Sequence, residues 1–245
     1  MRAVAIIPVR MAATRLPNKP LLDIVGKPMV QRVYERVCHA SLVSRVIVAT
    51  CDSEIFDAVQ GFGGEVVMTS ANHQSGTDRI AEVAANLDED VIVNVQGDEP
   101  LIDPKTIDAT IEPFASDESV EMASLMFRIS AEDAQDPNLV KVVVNRENWA
   151  MYFSRCPIPY QRKPQSDAQI WGHVGMYTYT RRFLLEYASM APGILERVES
   201  LEQLRVLENG KRIKMIPIDG RPMGVDTPED LATVRAAFLA EPGVS

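Results

Sequence analysis

Short apolar runs alternating with amphipathic helical stretches constrain the fold of this chain more than any other feature. The first run, Ala3 to Val9, is too short and too interrupted by proline for a membrane span, but it suits a buried parallel strand. Pro28 to Ala40 follows, with Met29, Val30, Val33 and Val37 on one helical face behind a proline suited to a first turn. RVIVAT at 45–50 is a β-branched strand, Ser53 to Phe62 reads as helix, and Glu65 to Thr69 as extended chain. Thr77 to Leu87 turns Ile80, Val83, Ala84 and Leu87 inward, and DVIVNVQGDEP at 90–100 is another buried strand running into an acidic loop. Such alternation at short spacing predicts an α/β fold, a Rossmann-like and mostly parallel sheet with helices on both faces.

The second half departs from this rhythm. Met122 to Arg128, Val140 to Val144 and Ala150 to Phe153 read as strands, and Gly172 to Tyr179 as an extended Gly- and Tyr-rich run. Glu199 to Leu207 reads as a helix stopped by Asn209-Gly210, with Glu202 and Gln203 on its solvent side. Lys211 to Ile218 is a further strand. Pro228 to Ala240 is a closing helix with Thr227 placed to cap it and Asp230 at the reciprocal capping position. The expected organisation is one α/β domain over 1–245, carrying a strand-rich insertion at about 120–215.

Composition excludes several classes. A net charge of −9 with interspersed acids and bases does not describe a general nucleic-acid binder. No segment approaches the roughly 20 apolar residues of a membrane span, and the N-terminal run ends at Arg10 without a signal-peptide cleavage pattern. Cys38, Cys51 and Cys156 are odd in number and widely spaced, which favours a reducing cytoplasm over a disulfide framework or a paired-thiolate metal site.

Candidate chemistry gathers where strands end. Arg10, Arg15 and Lys19 follow the first strand, and cations there, in a chain of net negative charge, suit an anion such as a triphosphate; the alternative is a solvated loop paired with local acids. The pattern is neither a Walker loop nor a dinucleotide-binding glycine motif. Asp98, after VIVNV, and Asp226, before the last helix, could together hold one Mg2+; each could equally be a turn or helix-terminal acid. The HQSGTDR stretch offers Gln74, Ser75 and Gly76 to a base edge, or merely an N-cap. His173 in GHVGMY is either a ligand donor or a structural histidine.

Together, IIPVRMAATRLPNKPL, ANHQSGTDRIAE, VNVQGDEPLI, KVVVNRENWAMYFSR, LEQLRVLENG and GVDTPEDL resemble the bacterial 3-deoxy-manno-octulosonate cytidylyltransferases, in order and from about residue 3 to residue 239. The resemblance implies the nucleotide-diphospho-sugar transferase fold and transfer of CMP from CTP to the anomeric hydroxyl of 3-deoxy-manno-octulosonate (Kdo), with release of pyrophosphate, for lipopolysaccharide biosynthesis. It implies Mg2+ as cofactor on Asp98 and Asp226, and a cytoplasmic homodimer. It gives Arg10, Arg15 and Lys19 to the triphosphate, with Arg10, Lys19, Asp98 and Asp226 catalytic. Gln74, Ser75, Gly76 and Gln96 go to the nucleotide, and Arg155, His173, Glu202 and Gln203 to the sugar acid.

The chain departs from the usual family loop at Val9, Met11, Ala13 and Asn18, where Ala, Tyr, Ser and Gly are common; no cation is lost. The 160–172 segment is shorter than in many members, which leaves the particular ulosonic acid as the open point. A nucleotide-sugar glycosyltransferase would carry an Asp-x-Asp motif, which Gly97-Asp98-Glu99 only partly imitates, and a non-catalytic sensor would not need Arg15, Lys19, Asp98 and Asp226 intact.

Overall fold

The computed structural model describes residues 1–11, 16–73, 75–162 and 169–240, and the chain separates into two compact units. The first comprises 1–111 and 222–245, the second 112–221.

The first unit is built on a four-membered parallel path. β1 (Ala3–Pro8) leads through the small hairpin β2 (Asp23–Ile24) and β3 (Lys27–Pro28) into α1 (Met29–Cys38). β4 (Val43–Thr50), α2 (Ser53–Gly61), β5 (Val66–Met68), α3 (Gly76–Ala84), β6 (Val91–Asn94) and α4 (Pro104–Ser116) follow, α4 running across the boundary at Ile111. β1 pairs in parallel with β4 on one side and β6 on the other, and β4 with β5, giving the order β6-β1-β4-β5. The chain thus adds strands outward from β1 and then reverses to place β6, so a topological switch point lies between β1 and β6. Ligand crevices form beyond the carboxyl ends of strands at such a point. β1, β6 and the second half of β4 are buried, as in a sheet covered by helices on both faces, whereas the edge strand β5 stays partly exposed. On α1, Met29, Val30, Val33 and Val37 are fully buried, the face that the periodicity predicts.

The second unit is mixed. β7 (Met122–Ile129), β8 (Lys141–Val144), β9 (Ala150–Ser154) and the long β10 (Ile170–Thr180) precede α5 (Arg181–Ser189), α6 (Ile194–Glu199), α7 (Leu204–Glu208) and β11 (Lys214–Ile218). β7 runs antiparallel to β10 and parallel to β11; β8 pairs antiparallel with both β10 and β9. The register of β10 on β7 breaks between Val174 and Tyr177, where Gly175 and Met176 form a bulge. The chain then returns to the first unit as α8 (Pro228–Ala240), whose Leu231, Val234 and Phe238 pack with Leu16, Ile24 and Met29.

Three helices, α4, α5 and α6, escape the sequence reading. α4 contains Pro113 and a β-branched stretch, both poor helix signals. α5 follows β10 without a connecting loop, the hydroxyl of Thr180 accepting from the backbone N–H of Phe183 at the junction. One expected helix is corrected: 199–207 is not continuous. Ser200 takes a left-handed conformation (φ 53°), ending α6 and restarting the chain toward α7. That break rotates Gln203 away from solvent, leaving it 3% exposed rather than on a wet face.

Candidate active site

The crevice at the switch point of the first unit is lined by Pro8, Val9, Arg10, Lys19, Gln96 and Asp98, and around Arg10 it continues past His73, Ser75, Gly76 and Arg79. β1 delivers Arg10, and the backbone N–H groups of Val9 and Met11 pin this exit by donating to the Ala49 carbonyl (3.0 Å) and the Asp52 carboxylate (2.8 Å). β6 delivers Gln96, Gly97 and Asp98. Gly97 passes so close to β1 that a Cβ would fall 2.2 Å from Val9 Cγ1, so no larger residue fits without displacing the loop.

Lys19 opens a short 3-10 turn, Lys19–Leu21, behind Asn18 in the left-handed region (φ 57°). The common family glycine at position 18 reflects that conformation, and Asn is among the residues that best tolerate it. The turn places the Lys19 ammonium between the two candidate metal acids, 2.7 Å from Asp98 Oδ2 and 3.0 Å from Asp226 Oδ1. Burial pulls the Lys19 pKa down, but the ion pairs and hydrogen bonds with Asp98 and Asp226 outweigh it and hold the ammonium above its ordinary value. Asp226 is set in place by a reciprocal cap on α8. The Asp230 carboxylate accepts from the N–H groups of Asp226 (3.0 Å) and Thr227 (2.9 Å), and the Thr227 hydroxyl accepts from the Asp230 N–H (3.1 Å). The N–H of Val225 donates to the Asp98 carbonyl at 2.9 Å, tying the two acid-bearing loops together. Residues more than a hundred positions apart thereby converge around a single cation.

From Ser75 onward the HQSGTDR motif folds as a capped helix start. Ser75 is the N-cap of α3, its hydroxyl accepting from the Asp78 N–H at 3.1 Å, while the Asp78 carboxylate accepts from the Ser75 N–H at 3.3 Å. The cap leaves the Ser75–Gly76 backbone along the crevice. Two crevice residues lie outside the sequence reading: His73, paired with Glu82, and Arg79, 4% exposed, whose guanidinium donates to the Thr69 hydroxyl and the Ser70 carbonyl. Arg79 repeats the cationic character of Arg10 one helical turn inside the motif, and a buried arginine following a cap is the signal that points to it. Arg15 and Gln74 lie outside the described residues.

The remaining candidates belong to the second unit. His173 on β10 lies against Phe153 (ring centroids 4.9 Å) and Tyr177 (5.6 Å). Its Nε2 is 2.8 Å from the Ser124 hydroxyl, and its Nδ1 is 3.5 Å from the Gln203 amide nitrogen. Burial pushes the imidazole pKa down to about 3, so the ring is neutral at physiological pH. Glu202 is anchored by its carbonyl, which accepts from the Tyr187 hydroxyl at 2.7 Å. Arg155 stands apart from this cluster. Its guanidinium donates to the carbonyls of Glu199 (2.7 Å), Pro137 (3.1 Å) and Ser200 (3.3 Å), and its backbone N–H to the Glu199 carboxylate (2.9 Å). The structure therefore gives Arg155 an architectural task, bracing the left-handed turn at Ser200 that leads to Glu202 and Gln203.

A crevice of cations and carboxylates at the switch point of a parallel sheet is the equipment of a nucleotidyltransferase, and residues 4–213 match the family model for cytidylyltransferases. The 3-deoxy-manno-octulosonate cytidylyltransferase of Geobacter metallireducens is 54% identical over 245 aligned residues, covering 96% of this chain and 96% of the relative. That of Geotalea uraniireducens is 55% identical, covering 96% and 98%. A solved CMP:2-keto-3-deoxy-manno-octonic acid synthetase complexed with CTP superposes with a TM-score of 0.94 at 45% identity, covering 98% of this chain and 99% of that one. The chain belongs to the 3-deoxy-manno-octulosonate cytidylyltransferase family. A cytidylyltransferase from Leptospira borgpetersenii, 18% identical with a TM-score of 0.68, shares the fold.

Proposed function

We propose that the protein transfers CMP from CTP to the anomeric hydroxyl of 3-deoxy-manno-octulosonate, giving CMP-Kdo and pyrophosphate. The observation that carries this reading is the Lys19 ammonium held between Asp98 and Asp226 beside Arg10 and Gln96, at the switch point where a nucleotide binds in folds of this kind.

The reaction brings two anions together. The sugar oxygen forms a bond to the α-phosphorus, the α–β anhydride bond breaks, and its electron pair leaves with pyrophosphate. Arg10 and Lys19, with Arg15 from the same loop, bind the triphosphate and neutralise charge that builds on its oxygens. Gln74, the Ser75–Gly76 backbone and Gln96 orient the nucleoside, and Gly97 lets the Gln96–Asp98 loop lie close against Val9. That the Asp98–Asp226 pair accepts a cation is visible in the ammonium between them, and an all-oxygen donor pair suits Mg2+. Asp98 and Asp226 would hold that ion, which when bound supplies charge neutralisation and Lewis acidity at the phosphates. The acceptor's polar groups fall to Glu202 and Gln203 in the second unit, and His173, given to the sugar acid by resemblance, reaches it through Gln203. Arg155 is assigned to sugar binding by resemblance only, and its carbonyl partners favour the bracing role. No covalent enzyme intermediate is needed.

Among the described residues no helix is long and apolar enough to cross a membrane. The free thiols of Cys38, Cys51 and Cys156 and the family support our assignment of a cytoplasmic enzyme serving lipopolysaccharide biosynthesis. We further propose a homodimer, with the strand-rich 120–215 insertion carrying both the sugar site and the interface, testable by light scattering.

The deciding experiment mixes the purified protein with CTP, Mg2+ and Kdo and follows pyrophosphate. Release that requires all three is expected. Turnover only of a preformed sugar nucleotide with an acceptor would make the protein a glycosyltransferase. Faster turnover of neuraminate than of Kdo would overturn the sugar while keeping the reaction.

A further inference from the structure

The bulge in β10 creates a hydrogen-bonding problem that Ser124 solves, and the solution reaches Gln203. Where Gly175 and Met176 interrupt the pairing with β7, the carbonyls of Val174 and Met176 turn toward the Ser124 hydroxyl, at 3.1 and 2.9 Å. All of this is buried: Ser124 and Met176 are fully inaccessible, and Val174 is 6% exposed. A serine hydroxyl has one proton to donate and two lone pairs to accept with. Its proton is required by the bulge carbonyls, because an acceptor left facing acceptors in a buried site costs the full desolvation of those groups. The contact at 2.8 Å to His173 Nε2 must then run the other way, with the imidazole N–H donating to Ser124 Oγ.

That direction settles the rest of the chain. Burial keeps the imidazole neutral, and a neutral ring protonated at Nε2 carries its lone pair at Nδ1. The group facing Nδ1 is the Gln203 amide nitrogen, at 3.5 Å, which donates. Turning the amide nitrogen toward His173 turns the amide oxygen the other way. Gln203 is available for this because it stands at the N-terminus of α7 without capping that helix through its side chain.

We infer that Ser124 is a positioning residue, which holds His173 in its Nε2–H tautomer and so orients the Gln203 amide to present its carbonyl oxygen as an acceptor for a hydroxyl of the sugar acid. Binding of the sugar acid by the second unit, as proposed above, is the reading on which the last step rests. His173 accordingly acts as a neutral spacer between two hydrogen bonds, and the carboxylate of the sugar is held elsewhere. Discrimination follows from the same geometry: an acceptor oxygen fixed in a buried site favours a substrate hydroxyl over its deoxy analogue.

The test reads the imidazole directly. Long-range proton–nitrogen NMR on histidine-labelled wild-type protein, with His173→Gln to assign its signals among the 3 histidines, should show the Nε2–H tautomer. An Nδ1–H tautomer in the wild type overturns the inference whatever any variant does. Ser124→Ala should give a mixed or reversed tautomer, with the KM for Kdo raised about tenfold and the KM for CTP changed by less than about twofold. Ser124→Thr, which keeps the hydroxyl, should restore both the tautomer and the KM. Unchanged Kdo KM in Ser124→Ala, with Gln203→Ala strongly impaired for Kdo, overturns the positioning role. If Gln203→Ala itself leaves the Kdo KM unchanged, the placement of the sugar acid in this unit fails, while the tautomer measurement still decides the Ser124–His173 link.

Discussion

The first unit gathers its functional groups at an open strand end, ionised and partly wet. Lys19 is mostly covered, but its partner Asp226 keeps 65% of its side-chain surface exposed, and Arg10 is exposed too. The second unit places His173, Ser124 and Gln203 at 9%, 0% and 3% exposure, neutral and bonded to one another. The difference fits what each unit is proposed to bind. A triphosphate brings several charges, so its site needs mobile cations and an exchangeable counter-charge, and partial hydration keeps those ions affordable. A sugar is recognised by hydroxyls, and discrimination among hydroxyls comes from fixed donors and acceptors in a dry setting, where an unmatched group costs most.

The contrast can be broken hardest at the acids. Asp98→Asn and Asp226→Asn should each lower kcat about a thousandfold or more with little change in the thermal transition, because each removes charge the reaction needs while the other acid still pairs the Lys19 ammonium. Near-normal turnover of either variant at low Mg2+ would remove that residue from the metal site. Lys19→Met should cost about a hundredfold in kcat. It should also tighten Mn2+ binding to the nucleotide-free protein, measured by paramagnetic resonance, since the competing ammonium is gone. Unaltered Mn2+ affinity would show that Lys19 and the metal do not share the acids.

Base choice is a smaller effect. CTP should exceed UTP in kcat/KM by about 5- to 150-fold, the equivalent of about 1–3 kcal/mol for one unmatched buried group. Equal specificity constants would deny the crevice beside Ser75 and Gln96 any role in reading the base.

The neutral unit makes a pH prediction. His173 is held near pKa 3 against an ordinary 6.5, so the unfolded chain binds a proton that the folded protein refuses. Its contribution to stability is complete above about pH 6.5 and is lost as pH falls from there toward 3, by at most about 1.4 kcal/mol per unit. Urea unfolding of wild type and His173→Gln between pH 4.5 and 7 should differ in slope accordingly, and the kcat/KM profile for Kdo should show no transition from His173 between pH 5 and 8. The smallest effect is Arg155→Ala. Loss of its carbonyl bonds should cost about 1–3 kcal/mol in stability, with KM values for CTP and Kdo moving little or together. A large rise in the Kdo KM alone, at unchanged stability, would return Arg155 to the sugar carboxylate.

Much of the first unit was legible beforehand because local chemistry there is unambiguous. The face of α1 is written in its apolar period, the start of α8 in Thr227, Pro228 and Asp230, and the cationic lining of the crevice in Arg10 and Lys19 following a buried strand. The second unit was harder to read. A helical period through 199–207 was plausible residue by residue, but the chain is broken at Ser200, where Arg155 and Glu199 stabilise a left-handed turn that no periodicity announces. Arg155 itself shows the same limit, since its residue type suits a carboxylate and only the structure shows its guanidinium donating to three carbonyls.

By itself, the sequence determined the alternation of strands and helices, the family and the identities of the charged groups, because propensity, period and residue chemistry are local properties. Tertiary structure decided which of those groups meet. Asp98 and Asp226 share one ammonium because the β6 loop and the α8 cap are tied by the Val225–Asp98 backbone bond. Ser124 matters because a bulge in a neighbouring strand aims two carbonyls at it. Pairing across long separations depends on register and packing of the whole sheet, and no single segment of the chain contains that information.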